Sequence, residues 1–183
     1  MADVTQQKTL ILVRHAKSCW KHESLPDIDR PLNKRGKRDA PEMASRLVNR
    51  GVRPDIIISS AALRALTTAR VIAVATEIDA AQIMVDDELY GASEDDVLEI
   101  VRQISDVVGT AVVVGHNPTL TDLANRFADE EIENVPTSGM LFLNVPDWQR
   151  VNEATLLDFD YPKAGRPATH SSFRSETRLR RSE

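Results

Sequence analysis

Leu10-Ile11-Leu12-Val13-Arg14-His15-Ala16-Lys17-Ser18 sets an unbroken apolar run directly against an Arg-His pair. A short, wholly apolar run reads as a strand buried on both faces. The pair then stands where that strand gives way to its loop. Two later segments repeat the arrangement. Ile56-Ile57-Ile58-Ser59-Ser60 leads to Arg64, and Ala111-Val112-Val113-Val114-Gly115 leads to His116. In an open parallel sheet the carboxyl ends of the strands share one edge. Two arginines and two histidines are therefore expected along that edge.

The rest of the chain alternates in the same way. Strands are expected at 9–13, 55–59, 82–85, 111–114, 140–145 and 154–159. The spacing of Ala40, Met43, Ala44, Leu47 and Val48 predicts a first helix, which opens around Leu32–Gly36 and stops at Gly51. A second helix is expected over 61–77. Ser93 followed by Glu94-Asp95-Asp96 reads as a capped helix start, with Val97, Ile100, Val101 and Ile104 as its buried stripe. Asn117-Pro118 reads as the cap and first turn of another helix. Pro26 and Pro31 make 16–32 an irregular segment. The alternation predicts a three-layer α/β/α sandwich with a mostly parallel central sheet.

A chain of 183 residues, 42% hydrophobic and 28% charged, has the composition of one soluble globular domain. No apolar run reaches the roughly 20 residues that span a bilayer, and the first residues lack a secretory layout. A cytoplasmic protein with no membrane partner is expected. Cys19 is the only cysteine, which excludes an internal disulfide and a Cys-rich metal site. The net charge of -5 divides into +3 over residues 160–183 and -8 over the remainder. Such an acidic body has no general affinity for nucleic acid. The basic end lacks apolar periodicity and reads as a flexible tail over 162–183.

Phosphoryl transfer through a side chain needs a nucleophile with a free lone pair at working pH. Histidine, with a reference pKa of about 6.5, meets that need. The non-bridging oxygens need fixed donors, which arginine supplies in a planar fork. A second histidine and the amino ends of helices would add further positive character.

Four segments carry a specific resemblance. Leu12-Val13-Arg14-His15-Ala16-Lys17-Ser18 resembles the Arg-His-Gly signature of the histidine phosphatase superfamily. Ser59-Ser60-Ala61-Ala62-Leu63-Arg64-Ala65-Leu66-Thr67-Thr68-Ala69 is similar to its Ser-x-x-x-Arg-Ala-x-x-Thr-Ala segment. Val114-Gly115-His116-Asn117-Pro118 resembles its second histidine motif, and Arg30-Pro31-Leu32-Asn33-Lys34-Arg35-Gly36 its Pro-Leu-x-x-x-Gly element. Order and spacing agree from about residue 9 to residue 145. The short chain and Arg-His-Ala-Lys-Ser look like the SixA-type phosphohistidine phosphatases.

The resemblance implies a phosphoglycerate mutase-like fold for a histidine phosphatase domain over 1–161. It implies that His15 attacks phosphorus, that Arg14 and Arg64 hold the phosphoryl oxygens, and that a protonated His116 faces His15 across the phosphate, contributing charge and hydrogen bonds. No metal or organic cofactor is implied. The expected substrate is a phosphorylated protein or a small phosphorylated molecule. A non-catalytic phosphoprotein-binding module with the same fold is the alternative from another class.

Ala16 departs from the usual Gly, so the turn after His15 must avoid angles reserved for Gly. No motif marks a general acid. Glu88, after the third strand, is the candidate, with an acidic loop end as the plain reading. Lys17, Ser18 and Asn117 are candidate phosphate or substrate contacts. Ser59, Ser60 and Asn117 otherwise read as caps, Thr67 and Thr68 as helix packing, Ser138 as a turn residue, and His22 and His170 as solvated.

Overall fold

Alternation along the central strands decides how the layers form. In β1 (Lys8–Arg14), Leu10 and Leu12 face one core while Ile11 and Val13 face another. In β4 (Thr110–Gly115), Ala111 and Val113 join the first core, and Val112 and Val114 the second. Both strands are apolar on both faces because both faces are covered by helices. The molecule is a computed structural model that describes residues 7–21 and 24–164. Residues 165–183 of the expected tail, and the expectations for His22 and His170, lie outside the described residues.

The six strands are ordered β3-β2-β4-β1-β5-β6. β2 (Ile56–Ser60) and β3 (Met84–Asp86) extend the parallel part beyond β4. β5 (Met140–Val145) runs antiparallel to β1, and β6 (Thr155–Asp160) antiparallel to β5. Five strands thus share one direction, as a mostly parallel sheet requires. Helices α1 (Lys34–Asn49) and α2 (Leu63–Ala75) bury their apolar stripes on the Ile11 side. Helices α3 (Glu94–Arg102) and α4 (Thr119–Phe127) bury theirs on the Leu10 side. The result is the expected three-layer sandwich.

Local signals act as read at several ends. Ser93 and Asp96 form a reciprocal capping box at α3. Gly51 has φ +77°, the left-handed angle that ends α1 at low cost. Asn117 differs from its expected role. Pro118 occupies the capping position of α4 and offers no side-chain hydrogen bond. The Asn117 amide instead donates to Thr121 Oγ1, Asn134 Oδ1 and the Val135 carbonyl, turned away from the helix N–H groups. β3 is displaced from 82–85 to Met84–Asp86, because a 3-10 turn takes up Ala80–Gln82.

Candidate active site

The register brings the carboxyl ends of three parallel strands together. Arg14 pairs with Gly115 across β1 and β4, and Ser59 with Val114 across β2 and β4. Arg14, His15, Ser60, Arg64 and His116 therefore meet at one edge of the sheet.

His15 is buried. Its Nδ1 lies 2.8 Å from the Ala16 carbonyl, which can only accept, so Nδ1 carries the ring proton. Nε2 keeps its lone pair and accepts from Arg64 Nε at 3.3 Å. The His116 ring stands 5.0 Å away between centroids, tilted by 54°. Its Nε2 is 2.8 Å from Ser60 Oγ, which also accepts from the Ala62 N–H. Arg14 points Nη1 at the Val135 carbonyl (2.6 Å) and Asn134 Oδ1 (3.2 Å), while its Nε is buried without a partner among the described residues. That N–H is a donor available to an anion in the cluster.

Burial pushes His15 down to about 3. The Ala16 carbonyl opposes this, and His116, Arg64 and Arg14 add repulsion against a second proton. Burial also lowers His116, to about 4, with Arg64 and Arg14 lowering it further and Asp27 opposing them. The protonated His116 expected opposite His15 belongs to a phosphate-bound site, and the free site does not favour it. A cation there would sit desolvated between two guanidinium groups, so both imidazoles are neutral at pH 7.

The loop after His15 is held by main-chain bonds. Cys19 N–H donates to the Pro31 carbonyl at 2.7 Å, and Asn33 N–H to the Lys17 carbonyl at 2.9 Å. Ser18 forms a bridge with Leu32. Gly36 lies so close beneath that a Cβ on it would come within 2.3 Å of the Lys17 carbonyl oxygen. Ala16 donates its N–H to Thr68 Oγ1 (3.0 Å), which donates in turn to the Arg64 carbonyl (2.7 Å). This bond fixes the turn after His15 without a glycine. From the other side, Ser138 N–H donates to the Arg14 carbonyl, and Gly139 accepts from Arg14 N–H.

Of the expected site residues, the structure brings together Arg14, His15, Arg64 and His116, with Asn117 alongside. Ser18 is buried in the loop, and Lys17 is exposed. Glu88 is exposed within a 3-10 turn, and its hydrogen bond is the one from its backbone N–H to Asp86. Asp27 is the carboxylate found against the cluster. It accepts from Arg64 Nη2 at 2.8 Å through Oδ2, and from Arg64 Nη1 at 2.5 Å through its carbonyl. Tyr90 donates to the same Oδ2 at 2.9 Å and meets the His116 ring edge-on at 5.6 Å. Sequence reading missed Asp27, Tyr90, Ser60 and Thr68 as parts of the site. Of these, Ser60 and Thr68 carried a motif signal, as the Ser and Thr of the Ser-x-x-x-Arg-Ala-x-x-Thr-Ala segment.

A cavity of about 340 Å³ opens beside His116, between the start of α4 and the segment entering α3. Its floor is apolar (Leu89, Val97, Val113), and Glu94 and Asp122 lie at its wall. Among the described residues, no three His, Cys, Asp or Glu side chains converge as metal ligands. No helix among them is long and apolar enough to cross a membrane.

Residues 10–93 match the family model described as the histidine phosphatase superfamily (branch 1). An uncharacterized protein of Mycobacterium tuberculosis is 34% identical over 164 residues, covering 82% of this chain and 100% of that protein. Among solved structures, a protein named phosphohistidine phosphatase SixA from Agrobacterium tumefaciens is 31% identical with a TM-score of 0.73. That match covers 85% of this chain and 98% of the other. A protein of the same name from Nakamurella multipartitia is 29% identical with a TM-score of 0.71, covering 88% and 100%.

Proposed function

Because this chain belongs to the histidine phosphatase superfamily and is SixA-like within it, we propose that it hydrolyses phosphohistidine through a covalent intermediate at His15. The observation that carries this reading is the tautomer of His15. Its proton is committed to the Ala16 carbonyl, and its Nε2 lone pair faces the buried Arg64.

Nε2 forms a bond to phosphorus while the bond to the leaving group breaks, and the electron pair departs with that group. The His15 ring gains positive character as it is phosphorylated, and the Ala16 carbonyl stabilises that charge. Arg14 and Arg64 take the non-bridging oxygens in place of the histidine and carbonyl partners they now hold. Neutral His116 lends a hydrogen bond, and the incoming dianion raises its affinity for a proton. Water then attacks phosphorus, the P–N bond breaks, and His15 returns to its neutral form with release of inorganic phosphate. The arginines supply the charge compensation that metal ions supply elsewhere, so we propose a metal-independent reaction.

A phosphohistidine substrate suits this site because its leaving imidazole departs neutral when its other ring nitrogen already bears a proton. A serine or sugar alkoxide is a strong base and needs an acid. The proposed substrates are phosphorylated proteins of the cytoplasm.

The test is a single-turnover incubation of wild type and His15→Ala with 32P-labelled phosphoimidazole or phosphohistidine, quenched in alkali. An acid-labile, alkali-stable label on wild type alone supports the reading. Turnover of small phosphoesters with none of phosphohistidine would move the assignment to a metabolite phosphatase. Phosphate binding without label or turnover would indicate a binding module.

A further inference from the structure

All the nitrogens of Arg64 have assigned partners, and one residue takes two of them. Nε meets His15, whereas Nη1 and Nη2 both go to Asp27, one to its carbonyl and one to its carboxylate. A planar fork gripped at both ends by one residue has its plane fixed. Asp27 is itself held: Tyr90 donates to Oδ2, and Arg30 Nε lies 3.5 Å from Oδ1. The Arg30 guanidinium is stacked 4.1 Å over the Trp20 ring. The backbone of Asp27 lies in a 3-10 turn closed by the Asp29 N–H to Pro26 carbonyl bond, at 3.0 Å.

We propose that Asp27 is a positioning residue that holds the Arg64 guanidinium edge-on to His15 as a fixed anion, and that it does not donate a proton to the leaving group. This rests on His15 being the nucleophile. The carboxylate faces two guanidinium groups, Arg64 and Arg30, and one phenol donor, Tyr90. Partial burial pushes the Asp27 carboxyl up, but the hydrogen bonds from Tyr90 and Arg64 and the charges of Arg64 and Arg30 outweigh it. The carboxyl is left below the ordinary carboxylate range. A group so held is ionised throughout the neutral range and has no proton to give. The Tyr90 hydroxyl, held by the same carboxylate, is pushed above its usual value and is no easier source of a proton.

The substrate class follows. With the carboxylate at the cluster spent on aiming Arg64, the site favours phosphoryl groups whose leaving atom departs as a weak base or a neutral molecule. N-phosphoimidazoles and phosphates of acidic phenols qualify, and alkyl phosphates do not.

The experiment compares wild type with Asp27→Ala, Asp27→Asn and Tyr90→Phe. It measures kcat/KM over aryl phosphates of graded phenol acidity and on phosphoimidazole, and inorganic phosphate affinity by calorimetry. Asp27→Ala is expected to lower kcat/KM by about 10- to 100-fold by the same factor for every leaving group. Phosphate affinity is expected to weaken with it. Asp27→Asn, which keeps a carbonyl oxygen for Nη2, recovers part of the loss, and Tyr90→Phe gives a smaller uniform loss. A deficit that disappears for the most acidic phenols and grows for the least acidic makes Asp27 the acid and overturns the proposal. Unchanged phosphate affinity in Asp27→Ala also overturns it. Phosphate binding is read without turnover, so a wild type that never labels His15 refutes the nucleophile assignment separately.

Discussion

Arg64 Nε donates to His15 Nε2 at 3.3 Å, so the lone pair that would attack phosphorus is covered by a cation in the free site. In the proposed reaction the same guanidinium receives the entering phosphoryl group, so binding and uncovering would be one event. The dianion would draw Arg64 Nε onto an oxygen, releasing Nε2 as phosphorus arrives in front of it.

This geometry predicts that Arg64→Lys fails to restore function. An ammonium on a flexible stem cannot stay held by Asp27 while exchanging His15 for a phosphoryl oxygen in one plane. We expect kcat/KM to fall by about 100-fold or more, with weaker competitive inhibition by inorganic phosphate. Steady-state kinetics against an aryl phosphate checks both, and wild-type values for the lysine variant would refute the role.

The pH dependence of kcat/KM should lack a histidine limb between pH 5 and 8 after correction for substrate ionisation. His15 and His116 lose their protons at about 3 and about 4 in the free protein, so neither changes charge over that range. A titration near the ordinary histidine value, removed by His15→Gln or His116→Gln, would contradict this.

Stability should fall in mild acid. Both histidines bind protons more readily unfolded, with an ordinary value of 6.5, than folded. The unfolded chain therefore takes up protons first as pH drops. Their contribution is complete above about pH 6.5 and is lost toward pH 4, by about 1 kcal/mol per pH unit for each histidine over the middle of that range. Urea unfolding at pH 7.5, 6 and 5 measures the slope. The double variant His15→Gln, His116→Gln should show a shallower one.

Thr68→Val removes the acceptor for the Ala16 N–H while keeping the side-chain shape. Ala16 is fully buried, so the orphaned donor should cost about 1 to 3 kcal/mol. The turn after His15 should loosen and activity fall with it. Denaturant midpoint and kcat measured on one preparation would separate this from a neutral packing change.

Gly36→Ala should be more disruptive than an alanine in a helix normally is. The new methyl would lie 2.3 Å from the Lys17 carbonyl oxygen, against backbone that cannot swing aside. We expect the 17–20 loop to shift from residues 31–33, with about 1 to 3 kcal/mol lost. Hydrogen exchange at the Cys19 and Asn33 amides reports that shift directly.

The parts of this molecule legible in the sequence are those written in consecutive residues. The double-faced burial of β1 and β4 shows in Leu10–Val13 and Ala111–Val114, and parallel register carries Arg14, His15 and His116 to one edge. The direction of β5 was not legible, because the pattern Met140–Val145 is the same read up or down the sheet. Asp27 was hidden for a related reason. Between Pro26 and Pro31 it reads as a polar loop, and only tertiary packing carries it to Arg64, 37 residues on. Glu88 was favoured because it follows a strand end, yet its turn leaves it in solvent. The neutrality of His116 in the free site was not legible either, because burial, which no local pattern records, lowers its affinity for a proton.

The loop after His15 is moored to residues 31–33 through carbonyls and amide N–H groups, with Gly36 packed against its backbone. The Lys17 side chain takes no part in that anchorage and faces solvent as a replaceable fitting on a permanent mount. A lineage can exchange it, and with it part of the surface that the proposed phosphorylated partner would meet first, while leaving the mount beneath undisturbed.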